Sequence, residues 1–377
     1  MMYRSIYGCV RRYATISQQV SRPPFEEIFP RKRMINRILF ELDSRLSFKK
    51  LYPLFESSYN DMDEDTISLG SNVSASDVML MKKVLEKVRS RTKSANLHLL
   101  KLESALLDKA AEMGDKDAIA LVAFDVLKDP SRNSQEDVDY AKLLIKDLYK
   151  REHHLTLKLT GDLALRGGDS LQAADYYQHF LRLEADTYLA GEVYGQLGQM
   201  SFQDTDLLSA ERYFRKAIAL SPLEYSVHSY YYLAQIYMNS DPLKARTLME
   251  SCATQGYRES FKALGFLEMH YFGDLYKAQE WFKLGMELYE LECFIGYFDC
   301  CASLGEWTLA KKCLKSLEKM GDANETYKTI VGQFMEARKE KIEKALSFQS
   351  DPLLYPNTMK DGSKQSELSI KQNKWGL

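Results

Sequence analysis

Six residues between Leu197 and Pro222 constrain this chain more tightly than anything else in it. Leu197-Gly198 is followed by Ala210, Phe214, Ala217 and Pro222. Small residues at Gly198, Ala210 and Ala217 let two helices cross at short distance, while Leu197 and Phe214 fill the space between them. Pro222 closes the second helix, because proline cannot continue a helical hydrogen-bond ladder. The spacing predicts an antiparallel helical hairpin over Gly191–Glu224.

The same pattern recurs along the chain. Gly161 is followed by Ala173, Tyr177 and Phe180, and Leu233-Ala234 by Ala245, Met249 and Cys252, one residue short. Leu264-Gly265 is followed by Ala278, Phe282 and Gly285, with one residue inserted. A degenerate unit reads Gly296, Ala310, Leu314 and Leu317. Ala141, Ile145 and Leu148 predict an earlier hairpin whose first helix is Ala118–Lys128. Two joints, ending in Gly114 and Gly256, call for a glycine with positive φ, so that one hairpin can stop and the next stack at once. A repeat of about 34 residues with these features is tetratricopeptide-like, and the two glycine joints are Sel1-like. The expected fold is therefore all-α: a tetratricopeptide/Sel1-like helical-hairpin superhelix, an α-solenoid. Only 19 Gly and 9 Pro in 377 residues disfavour a β fold built on many tight turns.

The flanks follow different rules. Residues 1–25 contain no acid, but carry Arg4, Arg11, Arg12 and Arg22 with scattered hydroxyls. Lacking an unbroken apolar core, this stretch predicts a mitochondrial presequence, 1–13, cut after Tyr13, with residues up to about 24 unstructured. Residues 25–60 predict a basic helical segment, 61–76 an acidic and Ser-rich flexible loop, and 77–320 the repeats. Residues 321–346 predict a charged capping helix, and 347–377 a disordered polar tail. No stretch approaches the ~18 apolar residues that span a bilayer, so membrane contact is expected to be peripheral. Arg31, Lys32, Arg33 and Arg37 crowd the first turns of the N-terminal helix, the wrong sign for its dipole, and are candidates for an anionic membrane surface.

Residues able to carry chemistry are sparse. His153 and His154 are adjacent, so on a helix they diverge by about 100° and would not chelate one ion together; the pair is expected to flank a helix start. Cys293, Cys300, Cys301 and Cys313 contain no CxxC pair and are expected to be reduced core thiols. Gly167-Gly168 is a repeat turn, and no phosphate-loop motif occurs. The chain is accordingly expected to be non-enzymatic, with no cofactor and no metal.

The surface that remains is the inner face of the repeats. Positions 2, 5, 9 and 12 of each first helix place Phe202, Tyr231, Gln235, Met238, Lys262, Phe266, Met269 and Tyr297 there as candidate peptide-groove residues. Large adaptable groups interspersed with polar ones suit an extended or helical polypeptide. A helical-repeat RNA or ribosome binder, a mitochondrial gene-expression factor, is the rival reading. It would need a basic inner face, yet Gly191–Met320 holds 13 Lys/Arg against 17 Asp/Glu. Nucleic acid is therefore not the expected partner.

Several whole segments carry a resemblance. Glu27–Arg33, the run HHLTLKLTGDLAL from His153, SDPLKARTLMESCATQG from Ser240, and LECFIGYFDCC from Leu291 resemble a fungal family of mitochondrial matrix tetratricopeptide-repeat factors. That family is required for export of the C-terminal domain of cytochrome c oxidase subunit II. The likeness runs from about Glu27 to Lys339. It implies a matrix protein bound peripherally to the inner membrane, acting with an Oxa-type insertase on subunit II. It implies no catalytic residue.

Overall fold

The computed structural model describes residues 23–61 and 73–348. The expected presequence, the centre of the 61–76 loop and the tail beyond Phe348 lie outside the described residues. The regular elements are α1 (Phe25–Ile28), α2 (Lys32–Glu41), α3 (Phe48–Asp61), α4 (Ala75–Thr92) and α5 (Leu97–Glu112). They continue with α6 (Lys116–Lys128), α7 (Gln135–Lys150), α8 (His154–Arg166), α9 (Ser170–Leu183) and α10 (Tyr188–Gln203). Next come α11 (Leu207–Leu220), α12 (Leu223–Tyr237), α13 (Pro242–Thr254), α14 (Arg258–Leu267) and α15 (Leu275–Glu287). The last four are α16 (Leu291–Leu304), α17 (Trp307–Ala323), α18 (Glu325–Ala337) and α19 (Lys339–Ser347). Two short turns complete the series, a 3-10 turn at Pro130–Arg132 and a π turn at Glu268–Phe272. The fold is all-α, of the tetratricopeptide/Sel1-like helical-hairpin kind. It divides into two compact units, one up to Val193 and one from Tyr194 onward.

The second helix of these hairpins starts by one recurring device. Asp169, Asp206, Asp241 and Asp274 precede α9, α11, α13 and α15, and each carboxylate accepts the backbone N–H three residues on, at 2.9–3.1 Å. That bond satisfies one of the free donors at a helix start. One residue further, Ala173, Ala210, Ala245 and Ala278 are each fully buried at the helix crossing. The two joints expected to need positive φ have it, with Gly114 at +87° and Gly256 at +72°.

In the first unit, α2 buries Ile35, Ile38 and Leu39 beneath the rings of Phe25, Phe29, Phe55 and Tyr59, in one core with α4 and α5. The expected N-terminal helical segment, 25–60, comprises three helices. Ser44 breaks it by bonding the backbone of Leu46 in both directions, and the Tyr59 hydroxyl ties α3 back to the Pro23 carbonyl at 2.9 Å. At the far end of this unit Lys158 is 7% exposed, held between Asp162 Oδ2 at 2.9 Å and Glu192 Oε1 at 2.8 Å. Burial pulls its pKa down, but the two carboxylates outweigh this and raise it.

Burial and the neighbouring Glu112 and Asp125 push the Asp108 carboxyl up from 3.8 to about 7. Because the folded form holds its proton more tightly than the unfolded chain, stability present at pH 4 is lost as pH rises towards 7. Asp108→Asn removes that loss. At pH 8 the variant is expected to be more stable by about 1–2 kcal/mol, a figure reduced for solvent screening, and no different at pH 4. Chemical denaturation at the two pH values measures the difference.

The second unit explains the two register offsets. The residue inserted after Gly265 is absorbed by the π turn, which keeps Phe282 opposite Gly265. The missing residue after Ala234 comes out of the helix end: α12 stops at Tyr237, sooner after Ala234 than α10 stops after Gly198. Glu268 in the π turn is 1% exposed and lies 2.8 Å from Arg246 Nε and 3.1 Å from Lys277 Nζ. The capping segment departs from expectation. Ala323 ends α17, and the remainder forms two helices, α18 and α19, broken at Arg338. The Arg338 guanidinium is drawn onto Asp299 of α16 by a two-pronged bond, with Nε at 2.8 Å and Nη2 at 2.6 Å. Such long-range pairing leaves no local signal at residue 338.

Candidate functional site

All eight groove candidates fall in the second unit, and each is half-buried. Phe202 and Met238 pack on the core of Phe214, Leu233 and Tyr237, with the Phe202 ring 5.2 Å from Tyr232. Met238 also joins Tyr231 on the core around Ala234, Met249 and Leu264. Phe266, Met269 and Tyr297 share the core of Phe282, Cys293 and Cys300. Gln235 bonds the Tyr231 hydroxyl, whose pKa burial raises. Lys262 connects the groups: its charge acts on Tyr231 while its ammonium pairs with Glu292. The result is a discontinuous row of rings and thioethers, each partly buried against a core.

This packing limits how some of them can act. The Phe266 ring meets Phe282 edge-on at 5.0 Å, and Tyr297 belongs to two cores. Charge placed at either position would strike the hydrophobic packing as well as any ligand. Phe202 and Met238, at helix ends, are the better reporters.

Two features escaped the sequence reading. Tyr257 lies between His228 at 5.2 Å and Tyr231 at 5.0 Å, extending the row at the joint after α13. Beyond Met269, a cleft of about 880 Å³ is lined by His270, Leu275, Asp299, Ser303 and Arg338. Arg338 and Asp299, paired across 39 residues of sequence, form part of its polar wall.

In the first unit, Arg31, Lys32, Arg33 and Arg37 are all exposed around the start of α2. The Lys32 ammonium sits 5.9 Å over the Phe48 ring, and Arg37 lies 3.5 Å from Glu41. Phe40, which the sequence reading passed over, is 86% exposed and shares a helix face with Arg33 and Arg37 at i, i+4, i+7 spacing.

Among the described residues, Cys252, Cys293, Cys300, Cys301 and Cys313 are free and buried. Burial pushes the thiols of Cys252, Cys293, Cys300 and Cys313 up to about 12, so they are protonated packing groups. The histidine pair flanks a helix start as expected, but its rings do not diverge. His153 is the cap residue of α8, with extended backbone (φ −69°, ψ 118°), and only His154 is helical. The helical 100° divergence therefore does not apply. The two rings lie 4.9 Å apart at 38°, and both reach Asp117.

Comparison with known proteins places this architecture. A family model described as the MSS2 N-terminal domain matches residues 21–115, which covers α1 to α5. The chain is 41% identical over 341 residues to Protein MSS2, mitochondrial, of Saccharomyces cerevisiae, covering 87% of this chain and 97% of that relative. Among solved structures, the MamA protein is 23% identical with a TM-score of 0.36, covering 46% of this chain and 92% of MamA. A protective antigen of uropathogenic Escherichia coli with an SLR fold is 16% identical with a TM-score of 0.45, covering 62% of this chain and 51% of the antigen. Yeast Tom70 is 17% identical with a TM-score of 0.38, covering 83% of this chain and 72% of Tom70. Identity of this level across almost the full length of the yeast relative, with the family's N-terminal domain in place, makes the chain a member of the MSS2 family of mitochondrial proteins.

Proposed function

We propose that this protein is a non-catalytic assembly and export factor that holds a hydrophobic polypeptide on the half-exposed row of the second unit. Its client is the C-terminal segment of cytochrome c oxidase subunit II. The protein works on the matrix face of the inner membrane with an Oxa-type insertase, and helps that segment across. The observation that carries the reading is the row itself: Phe202, Tyr231, Met238, Phe266, Met269 and Tyr297 are each anchored on a core while remaining partly exposed. Anchored aromatic and thioether groups bind apolar chain segments at low entropic cost. The excess of acids over bases in Gly191–Met320 disfavours nucleic acid as the ligand. The exposed Arg33, Arg37 and Phe40 face supplies the charge and the apolar wedge that a peripheral contact with anionic lipid requires.

A photo-crosslinking amino acid at Phe202 or Met238, in mitochondria labelling newly made proteins, is expected to capture subunit II. Capture of RNA instead would support the gene-expression reading and overturn this one. Deletion gives a second check. Subunit II is expected to be made and inserted, with its C-terminal domain inaccessible from outside; loss of its synthesis would count against export.

A further inference from the structure

We infer that Asp117, His153 and His154, with Glu184 as a fourth ligand, form a binding site for a divalent transition-metal ion of the Zn2+ type in the first unit. One ligand atom from each of Asp117, His153 and His154 lies within 4.8 Å of the other two. His153 Nε2 is 3.3 Å and His154 Nε2 3.8 Å from Asp117 Oδ1, and Glu184 Oε2 is 3.7 Å from His154 Nε2. A tetrahedral ion with bonds of about 2.0–2.1 Å sets its donors about 3.3–3.4 Å apart. The Asp117 contacts to the two imidazoles and the Glu184 contact to His154 need close by only a few tenths of an ångström. Glu184, outside the 4.8 Å group, must swing further towards Asp117 and His153 to complete the tetrahedron.

The surroundings resemble a built site more than a chance ion pair. His153 is only 9% exposed and bonds through Nδ1 to the hydroxyl of Thr156 at 3.1 Å, and Thr156 is itself fully buried. That second bond fixes the ring so that Nε2 faces Asp117, as the outer partners of metal-binding imidazoles do. Two neutral imidazoles and two carboxylates balance a doubly charged ion. Lys83 adds positive charge near Asp117 and opposes the ion. The ligands come from the first turn of α6, the cap and first residue of α8, and the residue closing α9. A bound ion would therefore clip the α6/α7 hairpin to the α8/α9 hairpin, and each proton displaced from an imidazole would pass to solvent.

The test uses the purified chain stripped with a chelator and titrated with Co2+, with Zn2+ as competitor. Expected is one ion per chain, the visible bands of a tetrahedral N/O site, and a melting temperature raised by Zn2+. His154→Ala, at a side chain 37% exposed, is expected to fold, to lose at least about tenfold in affinity and to lose the thermal shift. Absence of the bands in the wild-type chain, thiolate-to-Co2+ charge-transfer bands, or unchanged affinity in His154→Ala would each overturn the proposal. Should His154→Ala melt early without metal, Glu184→Gln supplies the same comparison: about tenfold weaker binding supports the site, and unchanged affinity overturns it.

Discussion

Replacing Gly265 with alanine is expected to destabilise the second unit by about 3 kcal/mol or more, measured as a lower midpoint in denaturant unfolding. An added Cβ would lie 2.4 Å from Cε1 of Phe282, a contact that real side chains do not make. The ring has little room to retreat, because Phe282 is fully buried and its tip also meets Gly296, where a Cβ would lie 2.4 Å from Cζ. Gly256→Ala serves as the control. Its added Cβ meets nothing within 4 Å, so only the φ of +72° is strained, at about 1 kcal/mol. Equal losses in the two variants would refute the role assigned to the ring.

The second large effect is expected at Lys158. Lys158→Met keeps the apolar stem but leaves Asp162, which also accepts the Tyr177 hydroxyl at 2.8 Å, without its cation. Removing one partner of a buried pair costs about 3–5 kcal/mol, and the lower end applies here because Glu192 is half exposed and can return to water. Adding Asp162→Asn should recover a substantial part of the loss, since a neutral amide can still accept from Tyr177. Chemical unfolding of the single and double variants measures it; no recovery in the double variant would show that shape, not charge, sets the role of Lys158.

How much of this was legible from residues alone depends on the distance over which each feature is decided. The crossings Gly161/Tyr177 and Gly198/Phe214 are written as fixed spacings within one hairpin, and both form contacts. The joints at Gly114 and Gly256 were legible for the same reason, since only the local backbone decides them. A helix-start signal went unread although it is equally local: an Asp four residues before a buried Ala, at Asp169, Asp206, Asp241 and Asp274. What could not be read is decided elsewhere. Arg338, where α18 gives way to α19, pairs with Asp299 across 39 residues of sequence, and the two together line the cleft beyond Met269. The histidine pair was misread for a subtler reason. A helical wheel assumes that both residues are helical, whereas His153 is the cap, and one non-helical residue turns two diverging rings towards a single carboxylate. The groove candidates all fall in the second unit, and the double duty of Phe266 and Tyr297 as core is set by Phe282 and the cores around it, contacts between helices that one residue's position does not encode.

The seat of Phe282 also bears on whether these hairpins are interchangeable parts. Its ring arises in α15 but is enclosed by Gly265 of its own hairpin and Gly296 of the next. Neither hairpin carries a complete copy of the enclosure. A chimera joined between Glu287 and Leu291 would import a partner helix with no matching gap, or leave a gap with no ring to fill it. The smallest stretch of whole hairpins that carries the complete Phe282 enclosure therefore runs from α14 through α17.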